Sequence, residues 1–168
     1  MVAKGPLNFS PEGAGSAELQ RWWQSLEEAR GDRAKLRRCR ELVSVVFIPS
    51  YYRLRSVLLP LGRVDDEALA AVAGILAHVK NHVPGRAFAE QMAQPKGRGA
   101  SARVSGLRFR RLLQFQNHNE LYPALIRAVR LLDGAVNLHS LASSTYWWND
   151  SVRKQWAYDY YGTAPTED

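Results

Sequence analysis

The chain has 168 residues, of which 46% are hydrophobic, and a formal net charge of +7. This apolar content excludes a disordered polycation and predicts a folded protein with one good core or two small ones. A single cysteine, Cys39, excludes an internal disulfide and a cysteine-based zinc site, and we find neither a run of about 20 apolar residues nor a signal peptide, so a cytoplasmic protein is expected.

The positive charge is concentrated in two windows of the sequence. Residues 30–55 contain eight basic residues and two acids, and residues 86–111 contain seven basic residues and one acid. Each window is therefore strongly positive, while the rest of the chain is net acidic. Local charge dominated by arginine is typical of proteins that bind a phosphate backbone.

The apolar spacing is helical along most of the N-terminal half. After a leader rich in Gly, Pro and Ser, it predicts a helix from Ser16 to a break at Gly31. A second helix is predicted over residues 32–48, with Val43 and Phe47 on its apolar side. Steps of four, three and four residues place Arg33, Arg37, Arg40 and Ser44 on a separate stripe of that helix.

The next elements are also helical. A short helix is predicted over residues 51–59. Three acids, Asp65, Asp66 and Glu67, suit the start of a core helix that runs to about Val79 and ends before the Pro84-Gly85 pair. A short helix over 86–93 precedes a basic loop, QPKGRGAS, at residues 94–101.

The second basic window is predicted to lie partly on a helix that Ser101 caps. This helix would carry Arg103, Arg108, Arg110 and Arg111. Arg103 and Arg110 are seven positions apart, which is nearly two turns, so both would point the same way. Further helices are predicted over 121–133, 137–148 and 150–161.

No segment alternates apolar and polar residues long enough to indicate a sheet, so the predicted fold is all-α, a helical bundle in two small subdomains. We predict a flexible leader over residues 1–15, an N-terminal helical subdomain over 16–84, a C-terminal helical bundle over 85–162 and a tail over 163–168.

The residues that could support catalysis have simpler explanations. His78 and His82 are four residues apart, a spacing that two metal ligands can share, but the sequence provides no evident third ligand. The acids at 65–67 are explained by the helix start, and the chain contains no GxSxG motif or phosphate-cradling glycine loop. We therefore predict that the protein is not an enzyme and needs no metal or cofactor.

The arginines are more informative than the aromatic residues. Most Trp and Tyr side chains sit at core spacing, whereas Tyr52 beside Arg53 and Phe115 near Arg111 are candidates for stacking on unpaired bases. Solvated helix faces usually mix the two signs of charge. The unbalanced arginines of the two windows therefore favour binding to phosphates.

Six segments in order resemble the small subunit of the type I-E CRISPR surveillance complex Cascade, the CasB family. They cover about residues 17–161 and are DRAKLRR, IPSYYRLRSVLLPLG, VPGRAFAEQMA, VSGLRFRRLLQFQ, LYPALIRAVRLL and YWWNDSVRKQWAYDYY. The resemblance implies a non-catalytic, all-helical subunit that occurs in two copies within Cascade, beside the other subunits. It also implies contact with the crRNA, with target DNA and with the displaced DNA strand of an R-loop.

The resemblance assigns nucleic-acid contact to six arginines, and helical geometry adds two more. The six are Arg37, Arg38, Arg53, Arg108, Arg110 and Arg111. The two from geometry are Arg33 and Arg103. The role of the loop 94–100 stays open.

Two alternatives remain. The subunit could be a purely structural spacer whose arginines dock on acidic patches of neighbouring proteins, without touching nucleic acid. A metal-dependent nuclease using His78, His82 and nearby acids would require cleavage that depends on a divalent metal.

Overall fold

The computed structural model describes residues 4–98 and 101–165. Within these ranges the chain forms ten helices and two strands of two residues each, which confirms the predicted all-α fold. The helices are α1 Ala14–Ser25, α2 Arg30–Arg38, α3 Leu42–Val45, α4 Pro49–Leu58, α5 Asp66–Leu76, α6 Phe88–Ala93, α7 Gly106–Gln114, α8 His118–Leu131, α9 Leu138–Tyr146 and α10 Asp150–Tyr161.

Helix α5 is the central element of the fold. Every residue from Ala68 to Leu76 is buried, and the helix contacts α2, α3, α4, α8 and α9. Its small side chains allow this close packing, and at Gly74 an added Cβ would overlap the Tyr122 hydroxyl of α8. The predicted core helix is confirmed, and Asp65 caps it by accepting a hydrogen bond of 3.0 Å from the Ala68 amide.

A short parallel strand pair ties the two halves of the chain together. Strand β1, Asn81–His82, pairs with β2, Ala135–Val136. The segment that follows α5 and the segment that follows α8 form this pair, so it joins the two segments.

The first predicted helix is wrong at its C-terminal end. Helix α1 ends at Ser25, and Gly31 lies inside α2 instead of breaking a helix. The buried side of α1 carries Leu19, Trp22 and Trp23, as its spacing predicts. The Trp22 indole donates a hydrogen bond to the Ser50 carbonyl, which links α1 to α4.

The predicted continuous helix over 32–48 is also wrong. Helix α2 ends at Arg38, and the Cys39 carbonyl accepts a hydrogen bond of 2.8 Å from the Tyr122 hydroxyl instead of one from the next helical turn. The chain then re-enters a helix at Leu42. Because of this break, Leu42 and Val45 are buried, while Val43 and Phe47 are 55% and 75% exposed.

The arginine stripe predicted from that longer helix is therefore corrected. Arg40 and Ser44 do not continue the stripe of Arg33 and Arg37, because they lie beyond the end of α2. The remaining predicted helices are confirmed with ends that shift by a few residues, and α10 has the predicted bounds.

The described residues of the two predicted subdomains share one core. Buried apolar side chains from both halves form a single cluster, which includes Leu7 and Phe9 of the predicted leader. The division into two subdomains stays a prediction, and tail residues 166–168 lie outside the described residues. Among the helices described, none has the length and apolarity needed to cross a membrane.

Candidate nucleic-acid interface

The arginines of α2 lie against the C-terminal end of α5. Arg33 donates from Nε to the Ala77 carbonyl at 3.1 Å and from Nη2 to the Val79 carbonyl at 2.6 Å, and Arg37 donates from Nε to the Ala77 carbonyl at 2.7 Å. Cations suit this position because a helix C-terminus carries partial negative charge. Burial and the nearby Arg37 charge lower the pKa of Arg33, although Glu27 opposes them. These two arginines therefore fasten α2 to α5.

The rest of the first basic window is more open. Arg38 is exposed at the end of α2. Arg53 on α4 is 51% exposed, and its Nη2 is 3.0 Å from Oδ2 of Asp32 on α2. This ion pair places Arg53 beside α2.

Helix α7 presents its arginines to solvent. The helix begins at Gly106, and its cap is Ser105, whose side chain accepts from the Arg108 amide, so the prediction that Ser101 caps it is wrong. Phe109 and Leu112 face the core. Phe109 stacks on Tyr160 with ring centroids 3.9 Å apart. With this side buried, Arg108, Arg110 and Arg111 are exposed, as the helical spacing predicts.

Arg103 does not lie on that helix, so its predicted alignment with Arg110 is wrong. Its backbone N–H donates to the Gln94 carbonyl, and the Lys96 N–H donates to the Ser101 carbonyl. These bonds hold the described part of the loop as a short ladder, and residues 99–100 lie outside the described residues. The Arg103 side chain is half-buried beside this ladder.

A groove of about 390 Å³ lies between α7 and α8. Four arginines line it: Arg108 and Arg111 from α7, and Arg127 and Arg130 from α8. Its apolar lining consists of Val104, Leu112, Phe115, Ala124, Ala128 and Leu131. Among the described residues, none that lines this groove is acidic.

Arg127 and Arg130 are absent from the predicted site residues. Their signal is present in the segment LYPALIRAVRLL, where two arginines three residues apart are separated by the buried Ala128 and Val129. Such spacing places both arginines on the outer face of a helix. The segment lies outside both basic windows, so the charge count does not include it.

His78 is a buried histidine whose pKa is affected by arginines of both groups. This imidazole is buried at the end of α5, and its pKa is lowered to about 4 by burial first, then by the charges of Arg130, Arg37 and Arg33. Arg130 of the groove and the two α2 arginines therefore lie within electrostatic reach of the same side chain.

The other candidate chemical groups take part in structural contacts. The His82 Nδ1 accepts from the Leu138 amide, Asp66 pairs with Arg55 and accepts from the Tyr51 hydroxyl, and the Glu67 carboxylate accepts from the Asn119 amide. The Arg55 bond lowers the pKa of Asp66. Over residues 4–98 and 101–165, no group of three His, Cys, Asp or Glu side chains could hold a metal ion.

The two aromatic candidates have different settings. Tyr52 is 51% exposed on α4, next to Arg53. Phe115 lies at the end of α7 and lines the groove. Both therefore present ring surface close to arginines, as stacking on a base requires.

Comparison with known proteins identifies the family of this chain. The model of the CRISPR-associated protein Cse2 family matches residues 32–161. The chain belongs to the Cse2 family. None of the curated proteins compared matches it.

Solved structures share the fold of this Cse2-family protein. A CRISPR-associated protein of the Cse2 family from Thermus thermophilus is 25% identical with a TM-score of 0.66, covering 89% of this chain and 98% of its own. CasB from Thermus thermophilus is 24% identical with a TM-score of 0.66 over the same shares. A chain of E. coli Cascade bound to a PAM-containing dsDNA target is 22% identical with a TM-score of 0.68, covering 86% of this chain and 93% of its own.

Proposed function

We propose that this Cse2-family protein is a non-catalytic, nucleic-acid-binding subunit of a type I-E CRISPR Cascade complex in the cytoplasm. It contacts the backbones of crRNA and target DNA and stabilises the R-loop for antiviral defence. Its partners are the other Cascade subunits, a second copy of itself, and the target and displaced DNA strands. Family membership and the likeness to a chain of E. coli Cascade support the assignment to this complex.

One observation carries the nucleic-acid contact. Four arginines, Arg108, Arg111, Arg127 and Arg130, line the groove between α7 and α8, and none of the described residues that line it is acidic, so the groove presents unbalanced positive charge. Arginine contacts to phosphates provide affinity without sequence preference, which suits a subunit that must serve any guide. R-loop formation is a nearly balanced exchange of duplexes, so a few such contacts are enough to favour it.

A structural spacer without nucleic-acid contact is the second candidate. The exposed apolar side chains Val43 and Phe47 on and after α3 favour a protein contact at that surface. This surface differs from the groove between α7 and α8. Substitutions in the arginines therefore distinguish the two functions.

The test measures binding of the assembled complex to target DNA over a range of salt concentrations. Arg111→Gln and Arg127→Gln each remove one exposed charge of the groove, and each should reduce the slope of log affinity against log salt by about one. Arg21→Gln is the control, since Arg21 lies on α1 and pairs with Glu18. If a variant that carries both Arg111→Gln and Arg127→Gln forms R-loops at physiological salt as the wild type does, with an unchanged slope, the spacer function is the correct one.

A further inference from the structure

The groove between α7 and α8 combines two kinds of surface. Arg108 and Arg111 are three residues apart on α7, as are Arg127 and Arg130 on α8, so each helix presents a pair of guanidinium groups within about one turn. Between the two pairs the lining is apolar and includes the ring of Phe115. The groove therefore offers positive charge on both sides and an apolar surface between them.

The charge of the groove is not balanced from within. In the described part of the chain, the guanidinium groups of these four arginines have no hydrogen-bond or ion-pair partner. Elsewhere Arg33, Arg37, Arg53 and Arg55 are held by carbonyls or carboxylates of the protein itself. Four unpaired like charges close together favour an anionic ligand.

The apolar lining restricts which anion fits. A free phosphate would contact the arginines, but it would make no contact with the ring of Phe115 or the side chains of Leu112 and Leu131. A nucleotide of a single strand carries both a phosphate on each side and a base with an apolar face, whereas a duplex keeps its bases stacked inside. The apolar lining and the four arginines together match such a nucleotide.

We propose that this groove binds an unstacked nucleotide of single-stranded nucleic acid, with the base against Phe115 and the flanking phosphates on the four arginines. The proposal rests on the proposed function and deepens it by assigning a base-binding subsite.

The test compares three probes by fluorescence anisotropy with the full chain. They are an oligothymidylate of about 12 nucleotides, an abasic strand with the same number of phosphates, and a DNA duplex of equal length. We expect the wild type to bind oligothymidylate about tenfold more tightly than the abasic strand, because base stacking contributes only to the former. Binding of the abasic strand reports phosphate contacts alone.

Two variants remove the base contact in different ways. Phe115→Ala deletes the ring but keeps the Phe115 carbonyl that accepts from the Trp148 indole. Ala124→Leu instead adds a branched side chain at a half-buried position of the lining on α8. This change fills the groove and removes no side chain from the core. Both should abolish the preference for oligothymidylate and leave abasic binding unchanged. Arg108→Gln should weaken binding of both single strands.

Failure of this proposal is distinguishable from failure of the proposed function. If the wild type binds oligothymidylate and abasic strand equally, the base subsite is absent while phosphate binding stands. If the assembled complex shows no salt-dependent binding to any probe, both proposals fail. A peptide of alternating Glu and Leu is the final probe: if Phe115→Ala abolishes its binding but leaves oligothymidylate binding unchanged, the groove is a protein-docking site and the proposal is overturned.

Discussion

Arg33 and Arg37 should stabilise the fold as well as the interface, and removing both should cost more than the sum of the single changes. Together they donate three hydrogen bonds to the Ala77 and Val79 carbonyls at the end of α5. In Arg33→Ala the Ala77 carbonyl keeps Arg37, and the Val79 carbonyl keeps the Trp23 indole at 3.2 Å. Neither carbonyl is then left without a partner.

The magnitudes follow from this sharing. A hydrogen bond from a charged donor contributes about 1.5–3 kcal/mol, and retained partners favour the lower end of that range, so we expect losses of about 2 kcal/mol for Arg33→Ala and about 1.5 kcal/mol for Arg37→Ala. The double variant leaves the Ala77 carbonyl without either guanidinium. We expect it to lose about 1 kcal/mol more than the sum of the single changes, because an unsatisfied buried acceptor adds its own penalty.

Urea unfolding followed by far-ultraviolet circular dichroism measures these free energies. Arg38→Ala is the matched control: Arg38 is exposed on the same helix, and its change should alter the free energy of unfolding by less than about 0.5 kcal/mol. If the two single losses add to within about 0.3 kcal/mol in the double variant, the shared Ala77 carbonyl does not couple them and the reasoning is refuted.

Three further outcomes are expected. The pKa of His78 is lowered to about 4 in the folded protein, so the unfolded chain binds more protons than the folded one between about pH 6.5 and 4. The contribution of His78 to the free energy of unfolding, up to about 3 kcal/mol, is therefore present above pH 6.5 and lost as the pH falls. The variant His78→Gln should lose less stability over the same pH range. Gly74→Ala should destabilise the protein by about 1–3 kcal/mol because its Cβ overlaps Tyr122, although helix propensity alone favours Ala. Asn117 caps α8, because its Oδ1 accepts a hydrogen bond of 2.9 Å from the Glu120 amide. Asn117→Ala should therefore lower the free energy of unfolding by about 1 kcal/mol.

Unfolding measurements decide each of these outcomes. His139, whose pKa is also lowered by burial, titrates in both the wild type and His78→Gln and so cancels in their comparison. An identical pH dependence in the two proteins would contradict the role of His78. A stabilised Gly74→Ala variant would show that α8 moves to accept the methyl group, and an unchanged Asn117→Ala variant would show that the cap does not stabilise α8.

The ends of the helices show what local pattern can predict. The sequence identifies Asp65 as a helix-start residue because its side chain needs only the amide three residues later. The break after Arg38 depends instead on the Tyr122 hydroxyl, which takes the Cys39 carbonyl from a position 83 residues away in sequence. No local rule of spacing contains that contact, so spacing alone places Val43 and Phe47 wrongly on the apolar side.

The candidate site shows the same division. Helical spacing correctly predicts that Arg108, Arg110 and Arg111 lie opposite a buried side, because that depends only on the turn of one helix. It cannot predict that α8 faces α7 and adds Arg127 and Arg130 to form a groove. Nor can helical spacing show that the guanidinium groups of Arg33 and Arg37 donate hydrogen bonds to a carbonyl at the end of α5.

The sequence by itself determined the helical class, the buried face of most helices and the local excess of arginine, because each depends on the order of neighbouring residues. The order of its motifs also indicated the family that the match over residues 32–161 establishes. Only the tertiary structure decided which arginines hold the fold and which line an open groove. Those outcomes depend on the packing of α2, α5, α7 and α8, which joins residues distant in the chain.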